Sequence, residues 1–279
     1  SLSNDCGGTI AIGQSKTCTI TNTDIAPKLT IVKKVINDDG GTLGANDFGI
    51  KLGDDAVTFG TGDVDGSKTT YSTELTVNSN QSYTISEANT AGYTEGTWSC
   101  TNDAQAIAVA EGLTKNVTLN EGDTVTCEIT NNDQAPFLTV LKSITGNNGG
   151  LLMPSDFDLY VGDTQVNHDE QNSFDADTYE ISEVQQDGYL FTGVLGDCAY
   201  DEEEDVITIG LQIGNTYSCT LVNEEIAPKL TLRKEVTNDD GGTATASEWT
   251  LSATPDKNSV GAEVVSGNGS DGVTSEPVK

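Results

Sequence analysis

One phrase occurs at three places along the 279-residue chain: "CTITNTDIAPKLTIVKK" from 18, "CEITNNDQAPFLTVLK" from 127 and "CTLVNEEIAPKLTLRK" from 219. Each copy holds a cysteine, an asparagine, an Ala-Pro and a lysine at one spacing. Lys33, Lys142 and Lys234 mark the register, with offsets of 142 − 33 = 109 and 234 − 142 = 92 residues, and Asn22, Asn131 and Asn223 keep the same offsets. Self-similarity on this scale means repeated units of one fold, and it narrows the architecture before any other motif is considered. A turn phrase follows each lysine ("NDDGG", "GNNGG", "NDDGG"), then an aromatic at a constant distance: Phe48, Phe157 and Trp249. Later in each full repeat come "SYTISEANTAGY" (82–93) and "TYEISEVQQDGY" (178–189).

The repeated phrase is therefore a junction. It holds the last strand of one unit before Ala-Pro and the first strand of the next after it. Linkers this short, centred on Pro27, Pro136 and Pro228, limit swivelling and favour a semi-rigid chain of beads. The expected organisation is the closing strands of a truncated β-sandwich at 1–24, complete β-sandwich repeats at 28–133 and 137–225, and the opening strands of a further truncated sandwich at 229–279. Such ends fit a window on a longer array, or neighbouring subunits that complete each other's sheets by strand addition.

Within a repeat, "LTIVKKV", "TELTVN", "YTISE", "AIAVA", "NVTL" and "TVTCEIT" alternate or carry β-branched residues, and Gly, Asn and Asp separate them. Several short strands in a unit of this length predict an all-β fold of tandem immunoglobulin-like sandwiches. No window carries a helical period.

Alternation also assigns faces, because residues two apart on a strand point the same way. Leu29, Ile31 and Lys33 share a face, as do Leu138, Val140 and Lys142, and Leu230, Leu232 and Lys234. Tyr83, Ile85 and Glu87 align, matching Tyr179, Ile181 and Glu183, while Cys127, Ile129 and Asn131 match Cys219, Leu221 and Asn223. Each complete repeat is thus expected to bury one Lys, one Glu and one Asn. Buried charges need partners, so the three side chains must meet. Desolvation favours the neutral amine and the neutral acid, the forms required for a condensation in which the lysine attacks the asparagine carboxamide and the glutamate moves protons.

"LTIVKK", "YTISEANTAGY" and "CEITNND" resemble the strand motifs of CnaB-like (prealbumin-like) domains of bacterial surface proteins and pilins. In that family a first-strand Lys and a last-strand Asn can form a spontaneous intramolecular isopeptide bond assisted by a mid-domain Glu. The resemblance implies Lys33 joined to Asn131 with Glu87 as promoter, and Lys142 joined to Asn223 with Glu183. It assigns Asn22 and Lys234 to bonds whose partners lie outside this chain. Unlike the better-known members, each unit also has a cysteine pair. The register of the six cysteines selects Cys6 with Cys18, Cys100 with Cys127, and Cys198 with Cys219, which points to an oxidising compartment.

Charge excludes several functions. The 44 acidic and 13 basic residues give a net charge of −31, which repels nucleic acid and anionic membranes, and no apolar run is long enough to span a bilayer. "NDDGG" and "GDVDGS" (62–67) fall short of a complete calcium loop and read as acidic turns, as does "DEEED" (201–205) at a hairpin tip. His168 has no nucleophile motif beside it, and Trp98 and Trp249 read as core or edge residues. Asn80, Asn116 and Asn268 match the short glycosylation acceptor motif.

The expectation is an extracellular structural protein without cofactor or metal: a stalk, pilus-like fibre or adhesin shaft. Its chemistry would be limited to its own crosslinking, and its partners would be further copies or repeats of itself. The alternative is an adhesin module whose loops bind a surface ligand such as a glycan, a host protein or calcium.

Overall fold

The computed structural model describes residues 1–102, 105–107, 113–255, 264–269 and 273–274. The chain divides into two compact units, Ser1–Gln134 and Ala135–Lys279. Among the described residues regular structure is β-strand, with helix confined to short 3-10 turns such as Ala45–Phe48 and Pro154–Asp156. No helix among them is long and apolar enough to cross a membrane.

In the first unit the opening strand Lys28–Ile36 is flanked on one side by Lys68–Thr76, antiparallel, and on the other by the closing strand Thr124–Asn132, parallel. Ser99–Asn102 continues this six-stranded sheet beyond the closing strand. A second sheet of four strands contains the middle strand Gln81–Ser86 paired with Thr114–Leu119. The alternating apolar residues of both sheets face each other, as two-layer packing requires. Leu29, Ile31, Ile85, Leu119, Ile129 and the fully buried Trp98 form the centre of this core. The Trp98 indole N–H donates to the Leu113 carbonyl at 3.1 Å, so its polar edge costs little to bury. Of the expected "AIAVA" strand only Ala106 and Ile107 are described, within the strand Gln105–Ile107; the remainder lies outside the described residues.

The second unit repeats the plan. The opening strand Phe137–Thr145 pairs in parallel with the closing strand Thr216–Glu225, in a four-stranded sheet. The middle strand Thr178–Glu183 belongs to a five-stranded sheet. Leu138, Val140, Leu159, Ile181, Ile209 and Leu221 lie between the sheets. One difference is local. Gln171–Ser173 covers only Phe137–Thr139 of the opening strand, where the first unit has a nine-residue neighbour.

Residues 229–255 follow the same course with fewer partners. The opening strand shortens to Thr231–Leu232, joined to Val273–Thr274, and Thr250–Ala253 pairs with Val265–Asn268. Leu230, expected on an inward face, is 43% exposed, because no closing strand covers it among the described residues. Residues 1–24 hold one isolated bridge, Leu2 to Ile20.

Candidate functional site

Parallel pairing of the opening and closing strands puts their ends side by side. Lys33 stands opposite Ile129 and Val35 opposite Asn131, so Lys33 and Asn131 are diagonal neighbours on one face. Glu87, immediately after the middle strand, arrives from the opposing sheet. The Lys33 and Glu87 side chains have no exposed surface, and Asn131 is 2% exposed.

Inside this enclosure Glu87 bridges the other two residues. Lys33 Nζ donates to Glu87 Oε1 at 2.5 Å, and Asn131 Nδ2 donates to Glu87 Oε2 at 3.0 Å. The lysine also donates directly to Asn131 Oδ1. The carboxamide is held from a second direction, its Nδ2 donating to the Thr94 carbonyl at 2.9 Å. Burial pulls the Lys33 pKa down to about 8, against the opposing effect of the Glu87 hydrogen bond and charge. A weakened ammonium against a carboxamide oxygen, with one carboxylate spanning amine and amide nitrogen, is a set of groups suited to amide-forming condensation.

The second unit assembles the same residues. Lys142 faces Leu221 and Ile144 faces Asn223, the same diagonal offset. Lys142 Nζ donates to Glu183 Oε2 at 2.5 Å, and Asn223 Nδ2 donates to Glu183 Oε1 at 2.6 Å. Burial lowers the Lys142 pKa here too. Asn223 Oδ1 is buried with no hydrogen-bond partner among the described residues, whereas the corresponding Asn131 oxygen accepts from its lysine.

The remaining candidates are placed differently. Asn22 is exposed. Lys234 is half-buried, its Nζ lying 4.3 Å from the centre of the Trp249 ring. The cysteines are joined as Cys6–Cys18, Cys100–Cys127 and Cys198–Cys219. Cys127 lies on the same face of the closing strand as Asn131, directly opposite Cys100 on the neighbouring strand.

Three contributors to the site were not identified by sequence reasoning. Lys33 Nζ sits 3.8 Å from the centre of the Phe48 ring, and Lys142 Nζ 4.6 Å from that of Phe157. The constant spacing from lysine to aromatic carried this information, but not its role as a cation-facing ring. The second contributor is the acid two residues beyond each asparagine, Asp133 or Glu225, whose carboxylate accepts backbone N–H groups from the turn after the lysine. The third is His168, whose Nδ1 accepts the Lys142 backbone N–H at 2.9 Å where the flanking strand has ended. Asp38, Asp39 and Asp133 carboxylates gather within 4.8 Å of one another, and both Asp133 oxygens are engaged by the turn. "DEEED" runs through the exposed connection between Ala199–Asp201 and Val206–Gly210.

A family model described as a prealbumin-like fold domain matches residues 24–129 and 225–279. Among solved structures, the Bacillus anthracis TIE protein superposes with a TM-score of 0.53 at 12% identity, over 93% of this chain and 46% of that one. The chain thus spans less than half the length of that protein. The major pilin from Streptococcus pyogenes aligns over 73% of this chain and 99% of its own, with a TM-score of 0.29 and 11% identity. The pilus adhesin SpaC from Lactobacillus rhamnosus GG aligns over 75% of this chain and 43% of its own, with a TM-score of 0.24 and 11% identity. No curated protein matches the sequence.

Proposed function

The chain belongs to the family of prealbumin-like fold domains, and from that premise we propose that it is a load-bearing element of the cell exterior, built from sandwich repeats that crosslink themselves. The observation that carries this reading is the buried Glu87 bridge between Lys33 and Asn131, together with its counterpart at Glu183. Residues 28–133 and 137–225 act as the crosslinked beads, and the short Ala135-Pro136 link between them transmits tension.

Each bond forms by one condensation. Lys33 Nζ passes a proton to Glu87 Oε1, and its lone pair attacks the Asn131 side-chain carbonyl carbon. Glu87 delivers that proton through Oε2 to the departing amide nitrogen and takes up the second proton of the attacking nitrogen; the C–N bond to the departing nitrogen breaks, ammonia leaves and carries this second proton away as ammonium, and a new amide joins the two side chains. Lys142, Glu183 and Asn223 follow the same course. No substrate is turned over, because the glutamate serves a single event within its own bead.

The mechanical consequence follows from topology. A bond from Lys33 to Asn131 spans 98 residues and ties the first strand of the bead to the last. Tension entering at one strand leaves through the covalent link, so the enclosed chain carries none. Three disulfides support an oxidising, extracellular setting. The net charge of −31 keeps such an element away from anionic surfaces.

Single-molecule stretching of the reduced chain tests this function. With the amide in place, the 98 enclosed residues contribute no extension. Release of roughly 300 Å or more from the first bead, the length expected at ~3.3 Å or more per residue, would contradict it.

A further inference from the structure

The turn after each lysine is a preformed block that the chain builds three times. Gly40, Gly149 and Gly241 occupy it with φ of 88°, 90° and 84°. In each block the lysine amine faces the ring of Phe48, Phe157 or Trp249. The third block has this geometry with no closing strand against it among the described residues, so the amine meets its ring without one. What the opening segment does not determine is where the asparagine lies.

A second device supplies that. Asp133 lies two residues past Asn131 and is 2% exposed. Its Oδ1 accepts the Asp38 N–H at 3.0 Å, and its Oδ2 accepts those of Asp39 at 3.0 Å and Gly41 at 2.6 Å. In the second unit Glu225, two residues past Asn223, accepts the Asn148 N–H at 2.5 Å and the Gly150 N–H at 3.3 Å through Oε2. A tyrosine braces each joint. Tyr93 OH accepts the Leu43 N–H and donates to Asn37, and Tyr189 OH accepts the Leu152 N–H. Each tyrosine meets the lysine-facing ring edge-on, at 5.1 Å for Phe48 and 5.5 Å for Phe157. The fit is close enough that a Cβ on Gly41 would stand 2.5 Å from the Tyr93 hydroxyl and 2.7 Å from Asp133 Oδ2. At Gly242, in the third block, the nearest atom to such a Cβ is only Asn238 Oδ1 at 3.0 Å. Asp24 holds the corresponding place two residues after Asn22.

We propose that Asp133 and Glu225 are positioning residues for the crosslink: each carboxylate locks the asparagine-bearing end of the closing strand onto the preformed lysine block, bringing the carboxamide to the amine. This rests on the self-crosslinking reading above. The acids do not touch the reacting atoms; they act through the strand, two residues from the asparagine. Near-attack geometry is sensitive to displacements on the scale of one ångström, so loosening the joint slows the reaction without removing any reacting group.

The test follows crosslinking of the full chain at intervals after cell-free synthesis under oxidising conditions, reading ammonia loss separately at the Lys33–Asn131 and Lys142–Asn223 peptides. Asp133→Asn and Asp133→Ala are expected to slow the first bond roughly tenfold or more while the second proceeds at the parental rate. Asp133→Glu is expected to restore the first, since Glu225 performs the same task, and Glu225→Ala reverses the pattern. The isosteric Asp133→Asn serves where the alanine variant fails to fold. A parental rate in folded Asp133→Asn or Asp133→Ala overturns the proposal, as does failure of Asp133→Glu to rescue. Absence of ammonia loss in the parent chain overturns the self-crosslinking reading instead.

Discussion

Replacing Glu87 with glutamine removes the bridge between amine and carboxamide while leaving the shape of the enclosure nearly intact. Glutamine cannot accept the lysine proton and return it to the amide nitrogen, so the first bead is expected to fold without its crosslink. The lost bond would have closed a loop of 98 residues, which by analogy with disulfides stabilises by about 4–5 kcal/mol. Lys33 also loses its carboxylate in a site where its side chain has no exposure, a further cost that its readiness to deprotonate offsets in part. At ~4–8 °C per kcal/mol for a domain of this size, the first bead should melt roughly 20–35 °C lower. Differential scanning calorimetry of the full chain, disulfides intact, reads this against the second bead, whose transition should stay in place. A first-bead transition within about 5 °C of the parent, or continued ammonia loss at Asn131, refutes the reasoning.

Other expectations can be checked on the same protein. Asn131→Ala keeps Lys33 and Glu87 but cannot crosslink. Lys33 then titrates at about 8 folded against 10.5 unfolded, so the unfolded chain binds more protons between these values and stability rises across them with pH, by about 3 kcal/mol. Urea titrations over that range should show the rise, and the Lys33→Met/Asn131→Ala double variant should lack it. Gly41→Ala, which places a methyl against Tyr93 and Asp133, should destabilise the first bead by about 1–3 kcal/mol. Gly60→Ala, with no atom of the described residues within 4 Å of the added Cβ, should stay within about 0.5 kcal/mol by the same denaturation assay. Reducing Cys100–Cys127, which spans 27 residues, should cost about 3–4 kcal/mol, leaving a bead still folded by circular dichroism, because the proposed Lys33–Asn131 amide would still tie its ends.

Much of the arrangement was legible because strand alternation is a strong code. Lys33, Ile31 and Leu29 lie on one inward face, and the repeat register carries the same inference to Lys142, Val140 and Leu138. Asn131 and Glu87 followed from the same parity on other strands. What alternation does not encode is how a loop is held. Asp133 and Tyr93 act on backbone N–H groups of an irregular turn, and such bonds leave no period in the sequence, although the acid recurs two residues after every asparagine. His168 was opaque for a related reason. It accepts a backbone N–H only because the neighbouring strand stops short, and that shortening depends on tertiary pairing. The exposure of Leu230 has the same origin, since a face is buried only where a partner strand covers it.

The proposed crosslinking would leave a permanent mark in the chain. Tandem mass spectrometry of the reduced, protease-digested protein should find branched peptides joining Lys33 to Asn131 and Lys142 to Asn223, and an intact mass lower than the sequence mass by two ammonias. An intact mass equal to that of the unmodified sequence, with all four residues recovered in linear peptides, would contradict it.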